Sequence, residues 1–102
     1  MPRLVKFAET KDVPAGQARA FAVEGHTVAV FNTAGGWFAL DDTCPHAGAP
    51  LCEGEVSGGK VTCPWHAADF DLRSGAALCP PATEGVRAFK VVVEGNDLQL
   101  EL

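Results

Sequence analysis

No stretch of ten residues in this chain keeps a convincing helical period, and that absence narrows the fold more than any other feature. Eleven glycines and seven prolines are spread along the 102 residues as punctuation and are not gathered into a linker. The segments between them are short, rich in Val and Phe, and alternate with polar residues, which is the period of two that a half-buried strand requires. Strands are expected over residues 3–7, 17–23, 27–32 and 37–41, with turns at Glu24-Gly25 and Ala34-Gly35-Gly36. Residues 55–57 and 60–63 flank Gly58-Gly59 as a hairpin, and residues 86–93 and 98–101 flank the turn Gly95-Asn96-Asp97. Leu98, Leu100 and Leu102 alternate with Gln99 and Glu101, as one buried face demands. The expected fold is all-β, a small antiparallel sandwich or partly open barrel forming a single domain over residues 1–102.

At this size the core is modest, and a bound metal would add appreciably to stability. Thirteen Asp and Glu against eight Lys and Arg give a net charge of −5. No basic stripe for nucleic acid or an anionic membrane is present, so a charged partner is expected to be a protein with a basic surface. The apolar runs are too short to cross a membrane as a helix, and Met-Pro-Arg-Leu-Val-Lys lacks the apolar core of a signal peptide. The expected location is the cytoplasm. Four cysteines in a reducing compartment point to metal or redox chemistry and not to a disulfide framework.

Two segments do not read as strands. They begin Cys44-Pro45-His46-Ala47-Gly48-Ala49-Pro50-Leu51 and Cys63-Pro64-Trp65-His66-Ala67-Ala68, and loops are expected over about 43–51 and 63–71. Each follows an expected strand and offers one thiolate and one imidazole, as Cys44-x-His46, sixteen residues, then Cys63-x-x-His66. Such a set can hold zinc, although structural zinc sites usually pair Cys with Cys and His with His along the chain. The alternating order suits a [2Fe–2S] cluster with two Cys on one iron and two His on the other. Two ferric ions, two sulfides and two thiolates sum to zero formal charge, whereas four thiolates leave an excess negative charge, so the neutral site accepts an electron more readily.

The spacing and its surroundings resemble the Rieske family. Cys-Pro-His-x-Gly-x-Pro-Leu at 44–51, Gly54, Cys-Pro-Trp-His at 63–66, Phe70-Asp71 and Gly75 are similar to the bacterial Rieske-type ferredoxins over most of the chain. The resemblance implies a Rieske-type β-sandwich with a two-loop cluster-binding subdomain and one [2Fe–2S] cluster per chain. It implies Cys44 and Cys63 on one iron and His46 and His66 on the other, the electron residing on the His-ligated iron. The free ring nitrogens of those histidines are then expected to titrate, so that the potential falls as pH rises. Members from respiratory and photosynthetic complexes carry a disulfide between cysteines at the places of Ala49 and Trp65 here. Its absence resembles the soluble low-potential members and implies a value toward the lower end of roughly −150 to +300 mV. Ala67 stands where many relatives have Gly.

The function implied is a one-electron carrier without catalytic residues or a small-molecule substrate of its own. It would take electrons from an NAD(P)H-dependent flavin reductase and pass them to the terminal oxygenase of a ring-hydroxylating dioxygenase system. The large mononuclear-iron domain of the oxygenase subunits is not expected within 102 residues. Two alternatives stand beside it: a Rieske-like small subunit of a larger reductase, such as assimilatory nitrite reductase, and a zinc-stabilised interaction module. A Cys63–His66 nucleophilic pair finds no orienting third group or oxyanion site.

Other residues have plainer readings. Cys52 and Cys79 lie outside the ligand spacing and read as separate small hydrophobes, and His26 as a solvated turn residue. Trp65 and Phe70 are expected to pack over the cluster, and Pro80-Pro81 resembles the family's proline-containing third loop, which implies that it covers the cluster. The resemblance implies that Asp71 is structural and Asp69 exposed, and Glu53 and Glu55 are expected on a solvated face.

Overall fold

The computed structural model describes residues 3–42, 50–64, 69–78 and 85–101. Among the described residues nine strands run in chain order: β1 (Leu4–Glu9), β2 (Ala18–Val23), β3 (His26–Thr33), β4 (Gly36–Asp41), β5 (Glu55–Ser57), β6 (Lys60–Thr62), β7 (Asp69–Asp71), β8 (Ala88–Glu94) and β9 (Asp97–Glu101). Single 3₁₀ turns at Thr10–Asp12 and Leu51–Glu53 are the helical elements among the described residues. Six strands form one antiparallel sheet in the order β1-β9-β8-β4-β3-β2, and β5-β6-β7 form a second.

The larger sheet curls until its outer strands meet. Phe7 of β1 and Phe21 of β2 pack edge to face with ring centroids 5.2 Å apart, and Arg3 pairs with Glu24 at the same seam. This near-closure hides two strand edges that would otherwise invite pairing with another chain.

The run Val28-Ala29-Val30-Phe31 in β3 is buried at every residue, because the strand is covered on both faces. Val28 and Val30 point into the barrel interior with Val13, Val23, Ala39, Leu98 and Leu100. Ala29 and Phe31 point the other way, where Leu40 of β4 joins Leu51, Val61, Cys63, Phe70 and Leu72. A strand with partners on both sides reads as continuous apolar sequence, and β3 thereby joins the barrel to the smaller sheet.

Most strands fall within two residues of their expected limits, and Leu98 and Leu100 are fully buried as the alternation requires. Leu102 lies outside the described residues. Three expectations are corrected. His26 is not a turn residue but the first residue of β3, paired with Val23, and its half-buried ring meets Phe89 edge on at 5.5 Å. The two-residue turn is Glu24-Gly25 alone, both at positive φ (50° and 85°), as a tight hairpin requires. The second loop does not run to residue 71, because Asp69–Asp71 is strand β7, in register with Lys60–Thr62. Asp69 is therefore not exposed: its carboxylate accepts from Thr62 Oγ1 at 2.5 Å and Lys60 Nζ at 3.0 Å.

Candidate metal centre

Of the four residues expected to hold metal, Cys63 lies within the described part of the molecule; Cys44, His46 and His66 lie outside it, as do Ala49, Trp65, Ala67, Cys79, Pro80 and Pro81. What the structure does fix is the footing of each segment that carries them.

The first segment leaves the sheet at Asp42 and returns at Pro50. Asp42 donates its backbone N–H to the Thr27 carbonyl at 3.0 Å, so the residue continues the β3–β4 ladder past Asp41. Its carbonyl accepts from Leu51 N at 2.6 Å and its Oδ1 from Cys52 N at 2.9 Å. Leu51 is then fully buried, which seats the exit of the segment in the core.

The second segment is the β6–β7 connection. Thr62 and Asp69 are paired, so six residues of sequence, 63–68, separate the two strands, beginning at Cys63 and including His66. Cys63 is 1% exposed and free of any disulfide, in the same buried cluster as Leu51, Phe70 and Leu72. Phe70 is fully buried there. The feet of the two Cys/His segments therefore share one apolar cluster.

A third segment starts beside the second. Ala77 bridges to Phe70, and Leu78 N donates to the Asp69 carbonyl at 2.8 Å, so residues 75–78 lie antiparallel to β7. The chain comes back at Gly85 and Val86, where Val86 N donates to the Gly75 carbonyl at 2.7 Å. Pro80-Pro81 lies on the stretch between these two feet.

The remaining side chains divide as follows. Cys52 is half-buried against the same core, and burial together with the neighbouring Asp42 carboxylate pushes its thiol up to about 12. Asp71 is structural: its Oδ2 accepts from Ser74 Oγ at 2.7 Å and Ser74 N at 3.2 Å, closing the turn after β7. Those bonds hold its carboxyl below the ordinary aspartate range. Glu53 and Glu55 are exposed. A groove of about 630 Å³ lies at the far ends of β4 and β6, between the β3–β4 and β5–β6 turns, with no Cys or His in its walls.

The Rieske [2Fe–2S] domain model matches residues 3–90. The chain belongs to the Rieske [2Fe–2S] family. One cluster per chain follows from that membership. It is 40% identical over 92 residues to the 3-phenylpropionate/cinnamic acid dioxygenase ferredoxin subunit of Escherichia coli, covering 89% of this chain and 86% of that one. Among solved structures it is similar to the ferredoxin of carbazole 1,9a-dioxygenase from Nocardioides aromaticivorans, with a TM-score of 0.88, 32% identity and 95% coverage of both chains. It also matches a structure described as a complex of reduced oxygenase and oxidised ferredoxin in carbazole 1,9a-dioxygenase, with a TM-score of 0.85, 27% identity and coverage of 96% of this chain and 92% of that one.

The residues on hand fit a Rieske cluster. Cys63 supplies a free sulfur at the foot of a short loop, in a dry setting that favours a thiolate bound to metal over one exposed to water. Among the described residues no helix is long and apolar enough to cross a membrane.

Asp42 is the residue that the reading of the sequence passed over. No local spacing marks it, because its carboxylate takes the backbone N–H of Cys52, ten positions further along the chain.

Proposed function

We propose that this Rieske protein is a one-electron carrier between a reductase and a terminal oxygenase, with Cys44 and Cys63 holding one iron of its cluster and His46 and His66 the other. When bound, the [2Fe–2S] cluster supplies reversible one-electron chemistry, and imidazole on one iron raises its potential above that of an all-Cys site. The chain's own residues anchor and dry it. Leu51, Phe70 and Leu72 pack around the foot of the Cys63 loop and keep water from one side, while the β6–β7 register fixes where that loop opens.

The observation that carries this reading is the shared footing of the two Cys/His segments, with Leu51 and Cys63 in one buried cluster. The spacing of sixteen residues between His46 and Cys63 is then the length of chain that runs from the first segment through Leu51–Glu53 and the β5–β6 hairpin to the second. The relatives named as dioxygenase ferredoxins, and the solved ferredoxin–oxygenase complex, support an oxygenase as acceptor. An NAD(P)H-dependent flavin reductase is the matching donor, and a cytoplasmic location places the carrier beside both. With a net charge of −5, docking is to basic surfaces, so transfer slows as salt rises.

Iron and acid-labile sulfide analysis with electron paramagnetic resonance of the dithionite-reduced protein tests the site. Two irons, two sulfides and a reduced-state signal are expected, and a colourless protein that holds zinc would overturn the reading. Electron delivery from a flavin reductase to a ring-hydroxylating oxygenase, measured across a salt series, tests the role.

A further inference from the structure

We propose that Asp42 is the positioning residue for the first ligand-bearing segment, a single buried acid that holds the segment's two feet together and so sets where Cys44 and His46 are presented. The inference rests on the reading that this segment carries two of the cluster's four ligands.

Asp42 is 7% exposed and is the one buried charged or polar residue among the described residues. An ionised carboxylate in such a place needs hydrogen-bond partners to offset its lost hydration. It finds one in the returning chain, where Oδ1 accepts the Cys52 N–H at 2.9 Å. Its backbone is fastened on both sides, to Thr27 by its N–H at 3.0 Å and to Leu51 by its carbonyl at 2.6 Å. Asp42 is thus joined to the chain that resumes at Pro50 by a backbone bond to Leu51 and a charge-assisted side-chain bond to Cys52. The backbone bond alone leaves the chain free to pivot about one point. Adding the Oδ1 contact one residue further on fixes its direction, and a ligand pair must be aimed as well as tethered.

The test compares Asp42→Ala, Asp42→Asn and a control, Asn32→Ala, in the cluster-loaded protein. Asn32 donates from Nδ2 to the Val13 carbonyl at 2.9 Å and lines the groove at the far end of β4, so its loss weakens the fold without touching the segment. Asp42→Ala removes the acceptor and should release iron to a chelator about tenfold faster than wild type, the effect of losing one bond to a charged group. Its reduced-state g-values should shift. Asp42→Asn keeps an oxygen at Oδ1 and should restore the wild-type signature, with release within about threefold, because a neutral acceptor is weaker but similarly placed. Asn32→Ala should melt earlier with an unchanged signature.

An Asp42→Ala protein with wild-type release and g-values would overturn the proposal. So would faster release that Asn32→Ala reproduces at an unchanged signature, since that is loss of general stability. If Asp42→Ala does not fold, Asp42→Asn decides alone: a wild-type signature bears the proposal out and a displaced one overturns it. Wild-type protein lacking iron and sulfide would sink the ligand reading itself, a result distinct from all of these.

Discussion

Substitution of Gly75 by Ala should destabilise the protein far more than the same change at Gly58, although both glycines have positive φ. Gly75 sits at φ +76° and Gly58 at +59°, a backbone region that an alanine enters at a cost of about 1 kcal/mol. Alanine also restricts the unfolded chain, which returns roughly 0.5 kcal/mol, so Gly58→Ala should cost only about 0.5 kcal/mol net. At Gly58 an added Cβ meets nothing within 4 Å, whereas at Gly75 it would lie 2.0 Å from the Val86 carbonyl oxygen. That oxygen belongs to backbone and cannot swing aside as a side-chain tip could. Either the returning chain moves off, straining the bond from Val86 N to the Gly75 carbonyl, or the turn after β7 distorts. Overpacking of this kind costs about 1–3 kcal/mol and a weakened hydrogen bond about 1 kcal/mol more. The expected total for Gly75→Ala is about 3 kcal/mol, a large fraction of the roughly 5–15 kcal/mol available to a small domain.

Urea or thermal unfolding of the two variants beside wild type measures the difference directly. At about 4–8 °C per kcal/mol for a domain near this size, Gly75→Ala should melt roughly 12–24 °C below wild type and Gly58→Ala within a few degrees of it. The contact also joins the feet of the third segment, since a Cβ on Gly85 would fall 2.5 Å from the Gly75 carbonyl. Cluster loss to a chelator should therefore quicken in Gly75→Ala and not in Gly58→Ala. Equal melting temperatures for the two variants would refute the reasoning, because the close approach to Val86 is the whole of the predicted difference.

The turn after β7 also supplies a pH prediction. Ser74 lowers the Asp71 pKa in the folded protein, so its bonds contribute stability that is fully present above the ordinary aspartate value of about 3.9 and is lost as pH falls through the depressed folded value. Ser74→Ala should thus be less stable than wild type near neutral pH, with the gap closing in strong acid, as denaturant titrations at several pH values would reveal. The cysteines separate by role: Cys63→Ala should lose the visible absorbance and destabilise the domain, whereas Cys52→Ala should keep both the absorbance and the Asp42 clamp, since that contact uses the Cys52 backbone N–H. A bleached Cys52→Ala protein would contradict the ligand assignment.

The strands that sequence reveals are those whose apolar period matches local turn chemistry. The hairpin at Gly58-Gly59 was legible because two glycines at positive φ close it and its flanking strands are local. Strand β7 was not legible. Asp-Phe-Asp reads as loop until Thr62 is placed across from Asp69 and Lys60 diagonally to it, and their bonds to its carboxylate are what make an acid acceptable in that strand. His26 was misread for a related reason, since the Phe89 ring that shelters it comes from β8, more than sixty residues along the chain. The ligand pattern Cys44-x-His46 with Cys63-x-x-His66 was visible because metal chemistry fixes residue types at short spacing. Asp42 was not visible, because its value lies in one buried contact to a residue ten positions away.

The two cores imply an order in which the molecule comes apart when metal is removed. The barrel core of Val23, Val28, Val30, Leu98 and Leu100 is built from strands paired along most of their length, and among the described residues it includes neither Leu51 nor Cys63. The second core depends on the Cys/His segments more closely, because Leu51 and Cys63 are members of it and stand at the feet of both segments. Its covering sheet has strands of three residues each, too short to persist without that apolar backing. Chelation of the iron should therefore raise amide hydrogen exchange first in β5, β6 and β7, while the amides of β3 that pair with β2 and β4 stay protected. Exchange rising uniformly across both sheets would mean that β3, although shared, couples the two cores into one cooperative unit, and that holding the cluster helps to hold the whole fold.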